Sequence, residues 1–158
     1  MSISDLIVVM RSGVVQQIGA PQAVYDSPMN LFVAKFLGTP PINVFAGTVR
    51  GGRLFLGDQD VLAVAGAPDG DVWVGVRPEG FRLAEDGPLQ CGLTRVEVMG
   101  RDISVVATHP AASAAIRAII SSENQKDVAG DTVRFALKPA KVFLFHRETE
   151  ERIPFEVV

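Results

Sequence analysis

Cysteine and histidine are scarce in this sequence of 158 residues, which has one cysteine and two histidines. With Cys91 alone, no internal disulfide can form, and a reducing compartment is favoured. Cys91 itself is predicted to be a small apolar residue inside a strand. Neither His109 nor His146 lies at a metal-ligand spacing from another histidine, cysteine or carboxylate, so the sequence predicts no metal site.

Long apolar runs are also lacking. The longest runs, such as residues 6–10 and 142–145, are far below the roughly 18 to 20 residues that a membrane-spanning helix needs. Residues 1–5 lack the basic stretch and apolar run of a signal peptide. The sequence therefore predicts neither direct membrane insertion nor export.

The motifs of common catalytic sites do not occur. There is no glycine loop ending in Lys-Ser or Lys-Thr, which a P-loop ATPase needs to hold phosphates, and no Gly-x-Ser-x-Gly motif. Gly51 and Gly52 precede Arg53 and a strand pattern, so they predict a tight turn. The carboxylates at positions 148, 150 and 151 flank a predicted turn and are expected to be solvated. No catalytic residue, no cofactor site and no enzymatic activity are predicted.

Charge of one sign is not concentrated anywhere in the sequence. The 15 basic and 18 acidic residues give a net charge of −3 and are scattered singly, which disfavours nucleic acid as a partner. Hydrophobic residues make up 47% of the sequence and charged residues 21%, enough apolar material for a packed core. The length suits one domain, or a smaller domain with an appended piece of another.

The first 38 residues predict a β-hairpin followed by two short helices. Two β-branched runs, residues 6–10 and 14–18, flank an Arg-Ser-Gly turn. A first helix is predicted around residues 21–25. A second is predicted with Ser27 as its cap, Pro28 in its first turn and Gly38 at its end. Helical spacing predicts a single apolar face on this second helix, formed by Met29, Phe32, Val33, Phe36 and Leu37.

Residues 39–41, Thr-Pro-Pro, break the helical pattern and mark the predicted boundary between a segment of residues 1–38 and a domain of residues 39–158. Beyond the boundary, many short strands separated by glycine, proline and aspartate predict a β-barrel or sandwich. Ile103, Val105 and Ala107 alternate with polar residues, which predicts a strand with one solvated face. The strands are predicted near residues 44–50, 53–56, 61–64, 72–76, 93–99, 103–108, 116–120, 132–137 and 142–145.

Five sequence stretches resemble one protein family. Residues 4–19, SDLIVVMRSGVVQQIG, resemble the segment that closes the nucleotide-binding domain of ABC importers, and residues 21–38 match the tail that follows it. Residues 39–43, TPPIN, resemble the junction of the carbohydrate-uptake branch, which includes maltose and glycerol-phosphate importer ATPases. Residues 74–79, VGVRPE, and residues 96–100, VEVMG, are similar to motifs of that branch's C-terminal domain. Their order and spacing extend the resemblance over nearly the whole chain.

The resemblance implies a mainly β fold: an oligonucleotide/oligosaccharide-binding-like (OB-like) barrel with extra strands, known as a TOBE domain, after a hairpin and two short helices. It implies that residues 1–38 are the tail of a nucleotide-binding domain and residues 39–158 a regulatory domain through which two subunits associate. The complete subunit would bind ATP and magnesium and contact permease subunits in the cytoplasm, at the inner face of the membrane. This stretch is expected to be inert toward ATP.

Arg77 and Glu79 are the candidate site residues, as an interface or regulatory pair. They lie two residues apart at a predicted strand end, so their side chains can leave on the same face. They either contact a partner or form internal hydrogen bonds that hold the strand end, and the second reading is favoured. Trp73 is expected to be a core residue.

Two alternative functions share the barrel architecture. One is the oxyanion-binding C-terminal domain of molybdate importer ATPases, but the Ser-Ala-Arg-Asn-like stretch of that group is replaced here by residues 41–45, Pro-Ile-Asn-Val-Phe. The other is a nucleic-acid-binding barrel, which the acidic pI and the 7% aromatic content oppose. The sequence does not name a transported solute, because that specificity belongs to other subunits of an importer.

Overall fold

The computed structural model describes residues 6–38, 40–123, 128 and 130–156. Over these residues the protein is mainly β, with a hairpin and two short helices preceding a barrel-like arrangement of strands, as the sequence predicts. Thr39 of the predicted boundary and residues 1–5, which include the first two residues of the first motif, lie outside the described residues. Residues 6–38 are called the N-terminal segment below.

The N-terminal segment is built from four elements. Ser12 and Gly13 both have positive φ angles and form the turn of the hairpin. Its strands pair antiparallel, with a register shift between Val9 and Met10. The elements are β1 (Ile7–Arg11), β2 (Val14–Gly19), α1 (Pro21–Asp26) and α2 (Leu31–Phe36).

The predicted start of the second helix is wrong. Ser27 ends α1 instead, and the N-cap of α2 is Asn30, whose side-chain oxygen accepts a hydrogen bond from the Val33 backbone N–H at 2.9 Å. Asparagine is as good an N-cap as serine, so the sequence offered both positions. Gly38 follows the helix with a φ of +107°, which agrees with its predicted role at the helix end.

The predicted single apolar face of α2 is divided in the structure. Val33 is buried against Val9 and Val24 of the segment itself, with Phe32 and Leu37 partly buried beside them. Met29 precedes the helix and is exposed, as is Phe36. A different side of α2 contacts the barrel, because Leu31 and Ala34 stand three residues apart on the helix and share that side.

Eleven further strands are found among the described residues, and all strand pairs are antiparallel. Most lie within one or two residues of their predicted bounds, but the early part of β8 and the short strands β7 and β13 were not predicted. The strands are β3 (Asn43–Arg50), β4 (Arg53–Leu56), β5 (Gln59–Ala63), β6 (Gly70–Val76), β7 (Phe81–Leu83), β8 (Leu89–Met99), β9 (Asp102–Thr108), β10 (Ile116–Ser121), β11 (Thr132–Leu137), β12 (Val142–His146) and β13 (Arg152–Ile153).

The strands form two sheets that enclose one core. One sheet has the order β10-β9-β8-β11-β7, and the other has the order β13-β12-β6-β3-β4-β5. Side chains from both sheets contribute to a single buried apolar cluster, which includes Phe45 and Leu144 of one sheet and Ile103 and Phe135 of the other. The arrangement agrees with the predicted barrel.

Two side-chain amides bridge the two sheets, each between an edge strand of one sheet and an interior strand of the other. Asn43 accepts a hydrogen bond from the Arg117 backbone N–H at 2.8 Å and donates to the Arg117 carbonyl at 3.0 Å, so it pairs with β10 as a neighbouring strand would. Gln59 does the same for Gln90 of β8, accepting from its N–H at 3.0 Å and donating to its carbonyl at 3.4 Å. These bridges nearly close the barrel.

The solvated face predicted for β9 is wrong. Ser104 and Val106 are buried, and the strand is exposed at its two ends. β9 lies between β8 and β10, and Arg95 and Arg117 flank Val106 in register on either side. Ser104 is flanked in the same way by Glu97 and Ile119, so side chains of both neighbouring strands lie beside this face.

Candidate functional site

Arg77 is the largest of the side chains that are almost completely buried, with 1% of its surface exposed. It stands directly after β6 and before a 3-10 turn, Pro78–Gly80. Its backbone N–H donates to the Lys141 carbonyl at 3.1 Å, which fixes the main chain at this point. A buried charge must be paired or hydrogen-bonded, and the hydrogen-bond acceptors of this guanidinium among the described residues lie in the N-terminal segment.

The Arg77 guanidinium binds the carboxyl-terminal ends of both helices. Its Nη1 donates to the carbonyl oxygens of Ala34 at 2.8 Å and Leu37 at 3.0 Å, and its Nη2 donates to the carbonyl of Tyr25 at 2.8 Å. The last carbonyls of a helix have no partner within the helix and carry partial negative charge. One arginine therefore satisfies carbonyls of both α1 and α2.

Tyr25 and Glu79 interact with each other beside the Arg77 guanidinium. The Tyr25 ring stacks on the Arg77 guanidinium, with 3.9 Å between Cζ and the ring centroid. The Tyr25 hydroxyl donates to the Glu79 carboxylate, at 2.6 Å to Oε2 and 2.9 Å to Oε1. The Lys141 ammonium lies 3.7 Å from Glu79 Oε2. Tyr25, Arg77, Glu79 and Lys141 are called the docking cluster below.

The protonation states of the docking cluster follow from its contacts. Burial, and then the hydrogen bond and charge of Glu79, raise the pKa of Tyr25, so its hydroxyl remains a donor. Burial raises the pKa of Glu79, but the Tyr25 hydrogen bond and the charges of Lys141 and Arg77 outweigh it, and the net shift is downward. Burial lowers the pKa of Arg77, against the attraction of Tyr25 and Glu79. The cluster thus pairs a charged guanidinium with a carboxylate.

Gly38 lets the main chain pass beside the docking cluster. Its φ of +107° is one that other residues rarely adopt, and a Cβ there would stand 3.2 Å from the Tyr25 ring. The same Cβ would be 3.7 Å from Arg77 Nη1. Glycine at the end of α2 is therefore required by backbone conformation and by the close approach of the Tyr25 ring.

Other contacts extend this interface between the N-terminal segment and the barrel. Leu31 and Ala34 of α2 join Ile42, Phe143 and Phe145 of the barrel in a buried apolar cluster. At the far end of α2 the contacts are between backbone groups: the Leu31 N–H donates to the Glu150 carbonyl at 2.9 Å, and the Arg152 N–H donates to the Met29 carbonyl at 3.0 Å. α2 is thus held at both ends.

Arg77 and Glu79 both contact Tyr25, although Glu79 lies in a 3-10 turn, where the strand alternation used to predict its direction does not apply. Their hydrogen bonds are internal, but they reach the N-terminal segment instead of the turn in which they lie. Sequence reasoning missed Tyr25 and Lys141 as their partners. Tyr25 carries a usable signal, because it is the one tyrosine in the sequence and falls within a family-like motif.

Trp73 is partly buried and packs against the apolar cluster that joins α2 to the barrel. This position agrees with its predicted place in a core. Its indole N–H donates to the Arg147 carbonyl at 3.2 Å, and the Arg147 guanidinium lies 4.6 Å from the centroid of its ring. The indole thus has its hydrogen-bond partner within the barrel.

Within residues 6–38, 40–123, 128 and 130–156, no three histidine, cysteine or carboxylate side chains come together in a way that would hold a metal ion. No helix there has both the length and the apolar character needed to cross a bilayer.

Comparison with known families gives one match, to the TOBE domain, over residues 74–145. This stretch begins within β6, includes Arg77 and Glu79, and ends within β12. The docking cluster therefore joins the matched domain to residues that lie before it.

Three curated relatives are similar over most of the chain. An sn-glycerol-3-phosphate import ATP-binding protein from Jannaschia sp. is 34% identical over 97% of the chain and 43% of its own length. A sulfoquinovosyl glycerol transport ATP-binding protein from Agrobacterium fabrum is 33% identical over 97% and 45%. A lactose transport ATP-binding protein from Rhizobium radiobacter is 37% identical over 92% and 44%. The chain spans less than half the length of each.

Proposed function

Because residues 74–145 are a TOBE domain and nearly the whole chain is similar to ATP-binding proteins of importers, we propose that this chain is the C-terminal regulatory part of such a subunit. The importer would be bacterial and would carry a sugar or a related solute. The observation that carries this proposal is the similarity along 97% of the chain, which includes the hairpin and helices as well as the barrel. We infer no particular solute.

The division of the chain is part of the proposal. Residues 1–38 would be the tail of the nucleotide-binding domain, and residues 39–158 the regulatory domain. The apolar outer face of the hairpin supports this division, since Val8 and Ile18 pair across the strands and are both exposed. A strand with apolar residues on both faces suits a larger sheet.

This chain should neither bind nor hydrolyse ATP. ATP and magnesium would be bound by the preceding part of a complete subunit, where the phosphate loop of the family lies. Titration calorimetry with Mg-ATP should give no heat of binding at protein concentrations of tens of micromolar. Micromolar affinity for ATP would contradict the proposal.

The regulatory role requires two copies that remain associated while their ATPase domains open and close. A lasting C-terminal contact keeps those domains at high effective concentration, so ATP need drive only a local closure. A regulatory molecule that binds the open or the closed arrangement more tightly then shifts the equilibrium between them, by an amount set by the difference between its two affinities. In the importer the subunit would also contact permease subunits at the cytoplasmic face of the membrane.

Self-association through the barrel is the direct test. We expect a monomer–dimer equilibrium with a symmetric interface, in which the same patch is buried on both copies. Stable pairs usually bury more than about 1,000 Å² in total. Sedimentation equilibrium should therefore detect dimers as concentration rises, and a strict monomer at hundreds of micromolar would contradict the dimerisation role.

A further inference from the structure

The two charged side chains of the VGVRPE motif both form hydrogen bonds outside the matched TOBE domain, although Glu79 also lies 3.7 Å from the Lys141 ammonium within it. Arg77 donates to carbonyls that lie 52, 43 and 40 residues earlier in the chain. Glu79 accepts from the Tyr25 hydroxyl, 54 residues earlier. Within the described residues, the side-chain hydrogen bonds of this motif's Arg and Glu thus go to the N-terminal segment alone.

A second arginine of the barrel, Arg147, is partly buried and makes contacts of the same kind without leaving the barrel. Arg147 also stacks on an aromatic ring, that of Trp73, at 4.6 Å. It also donates to backbone carbonyls, those of Val72 at 2.9 Å and Gly47 at 3.1 Å. Both acceptors are barrel residues. Arg147 therefore holds the barrel together, whereas Arg77 holds another part of the chain against it.

We infer that Arg77 is a positioning residue that couples the N-terminal helices to the TOBE domain as one rigid unit, with Tyr25 and Glu79 as its second point of attachment. Movement of the barrel would then be passed to residues 6–38 and to whatever they contact. The importance of this coupling for an importer rests on the proposed function. The coupling itself does not.

The geometry explains why the attachment should be all-or-none. The guanidinium needs the ends of α1 and α2 at once, because its Nη2 binds Tyr25 and its Nη1 binds Ala34 and Leu37. Charge-assisted hydrogen bonds are about twice as strong as neutral ones. If either helix leaves, a buried charge loses partners, which is costly. The helices should therefore dock and undock together.

Hydrogen exchange on the intact chain tests this inference with a matched pair of variants, Arg77→Met and Arg147→Met. Methionine keeps a long apolar side chain and removes the donors. The probes are the helical amides of Val24, Ser27 and Ala34, which donate to Ala20, Ala23 and Asn30. In Arg77→Met these amides should exchange at least about tenfold faster relative to the strands β3 and β6, because local opening no longer breaks the arginine bonds.

In Arg147→Met the order should reverse, with β3 and β6 losing more protection than the helices. An Arg77→Met chain in which helices and strands lose protection equally would overturn the inference, because Arg77 would then contribute only general stability. If Arg77→Met does not fold, Tyr25→Phe decides, since it removes one hydroxyl: selective loss in α1 and α2 supports coupling, and unchanged or uniform exchange contradicts it.

The same experiment separates this inference from the proposed function. A chain that is monomeric at all concentrations, yet shows selective exchange in Arg77→Met, would contradict dimerisation and support the coupling. A chain that forms dimers, yet loses protection uniformly in Arg77→Met, would support dimerisation and contradict the coupling. Exchange in Arg77→Lys provides a further check, because a lysine cannot bind three carbonyls in the arginine geometry, and the helices should remain less protected than in the wild type.

Discussion

The barrel and the N-terminal segment are stabilised in different ways. The barrel has a core of its own, to which both sheets contribute. The N-terminal segment has a core of three fully buried residues, Val9, Val24 and Val33, and leaves large apolar side chains such as Val8 and Phe36 exposed. A domain needs enough buried apolar surface to offset chain entropy. The segment therefore depends on its contacts with the barrel.

The largest difference in stability is expected between two phenylalanine substitutions, one in each region. Phe135 of the barrel is completely buried and lies 5.1 Å from Phe81, ring centroid to ring centroid. Phe36 of the N-terminal segment is 60% exposed. Phe135→Ala should lower the free energy of unfolding by about 3 to 5 kcal/mol, and Phe36→Ala should change it by less than about 1 kcal/mol.

Urea denaturation of the two variants measures the difference. A chain in which Phe36→Ala is as destabilising as Phe135→Ala would contradict the division into a barrel with its own core and a dependent segment. The slope of the unfolding free energy against urea should match the wild type in both, since a changed slope would indicate altered compactness.

Two asparagines give the next comparison. Asn43 joins the two sheets and is buried, so Asn43→Ala leaves a backbone N–H and carbonyl of Arg117 without their partner. We expect a loss of about 1 to 3 kcal/mol in unfolding free energy. Asn30→Ala removes the N-cap of α2, worth about 1 kcal/mol.

The loss of stability in Asn43→Ala should appear in global unfolding. In Asn30→Ala it should appear as faster hydrogen exchange of the α2 amides, because we expect the segment to open locally while the barrel stays folded. Thermal unfolding together with hydrogen exchange distinguishes them. Equal loss of protection throughout the chain in Asn30→Ala would show that the two regions unfold together.

As the pH is lowered, the His109 contribution in the barrel should be lost first, and the Glu79 contribution in the docking cluster only at more acidic pH. His109 is buried in the barrel, where its Nδ1 accepts from the Ala111 N–H at 3.0 Å and its Nε2 is 3.1 Å from Gln59 Oε1. Burial lowers the pKa of His109 from 6.5. Its contribution to stability is therefore complete above pH 6.5 and is lost as the pH falls from there through the folded-state pKa.

In the docking cluster the pKa of Glu79 is lowered from 4.5, so its contribution is complete above pH 4.5 and is lost only at more acidic pH. The urea midpoint should fall as the pH is lowered from 8 to 5, and His109→Gln should remove this dependence on pH. The same slope in His109→Gln and wild type would contradict this assignment.

Local pattern was enough to predict most of the strands, the hairpin and the end of α2. Gly38, for example, is recognisable because glycine is favoured where a helix ends with positive φ. What failed depends on neighbours distant in sequence. Ser104 reads as a solvated residue, because the sequence does not show that its strand lies between β8 and β10, with Glu97 and Ile119 in register on either side of it. The partners of Arg77 could not be predicted, because backbone carbonyls carry no signal of their own in a sequence.

The smallest effect on stability, and the sharpest test of where copies associate, concerns the outer face of the hairpin. Val8 pairs with Ile18, and Met10 pairs with Val15, and all four are exposed. Replacing Val8 and Ile18 by threonine keeps the β-branched shape, so the free energy of unfolding should change by less than about 0.5 kcal/mol.

The consequence for association depends on which region carries the contact. Exposed apolar patches are common sites of association, so the outer face of the hairpin is an alternative to the barrel as the dimer interface. If copies associate through the barrel, the double variant should show the wild-type dimer constant in sedimentation equilibrium. Loss of the dimer would place the contact on the hairpin, where a preceding domain would otherwise lie, and would remove the barrel from the dimerisation role.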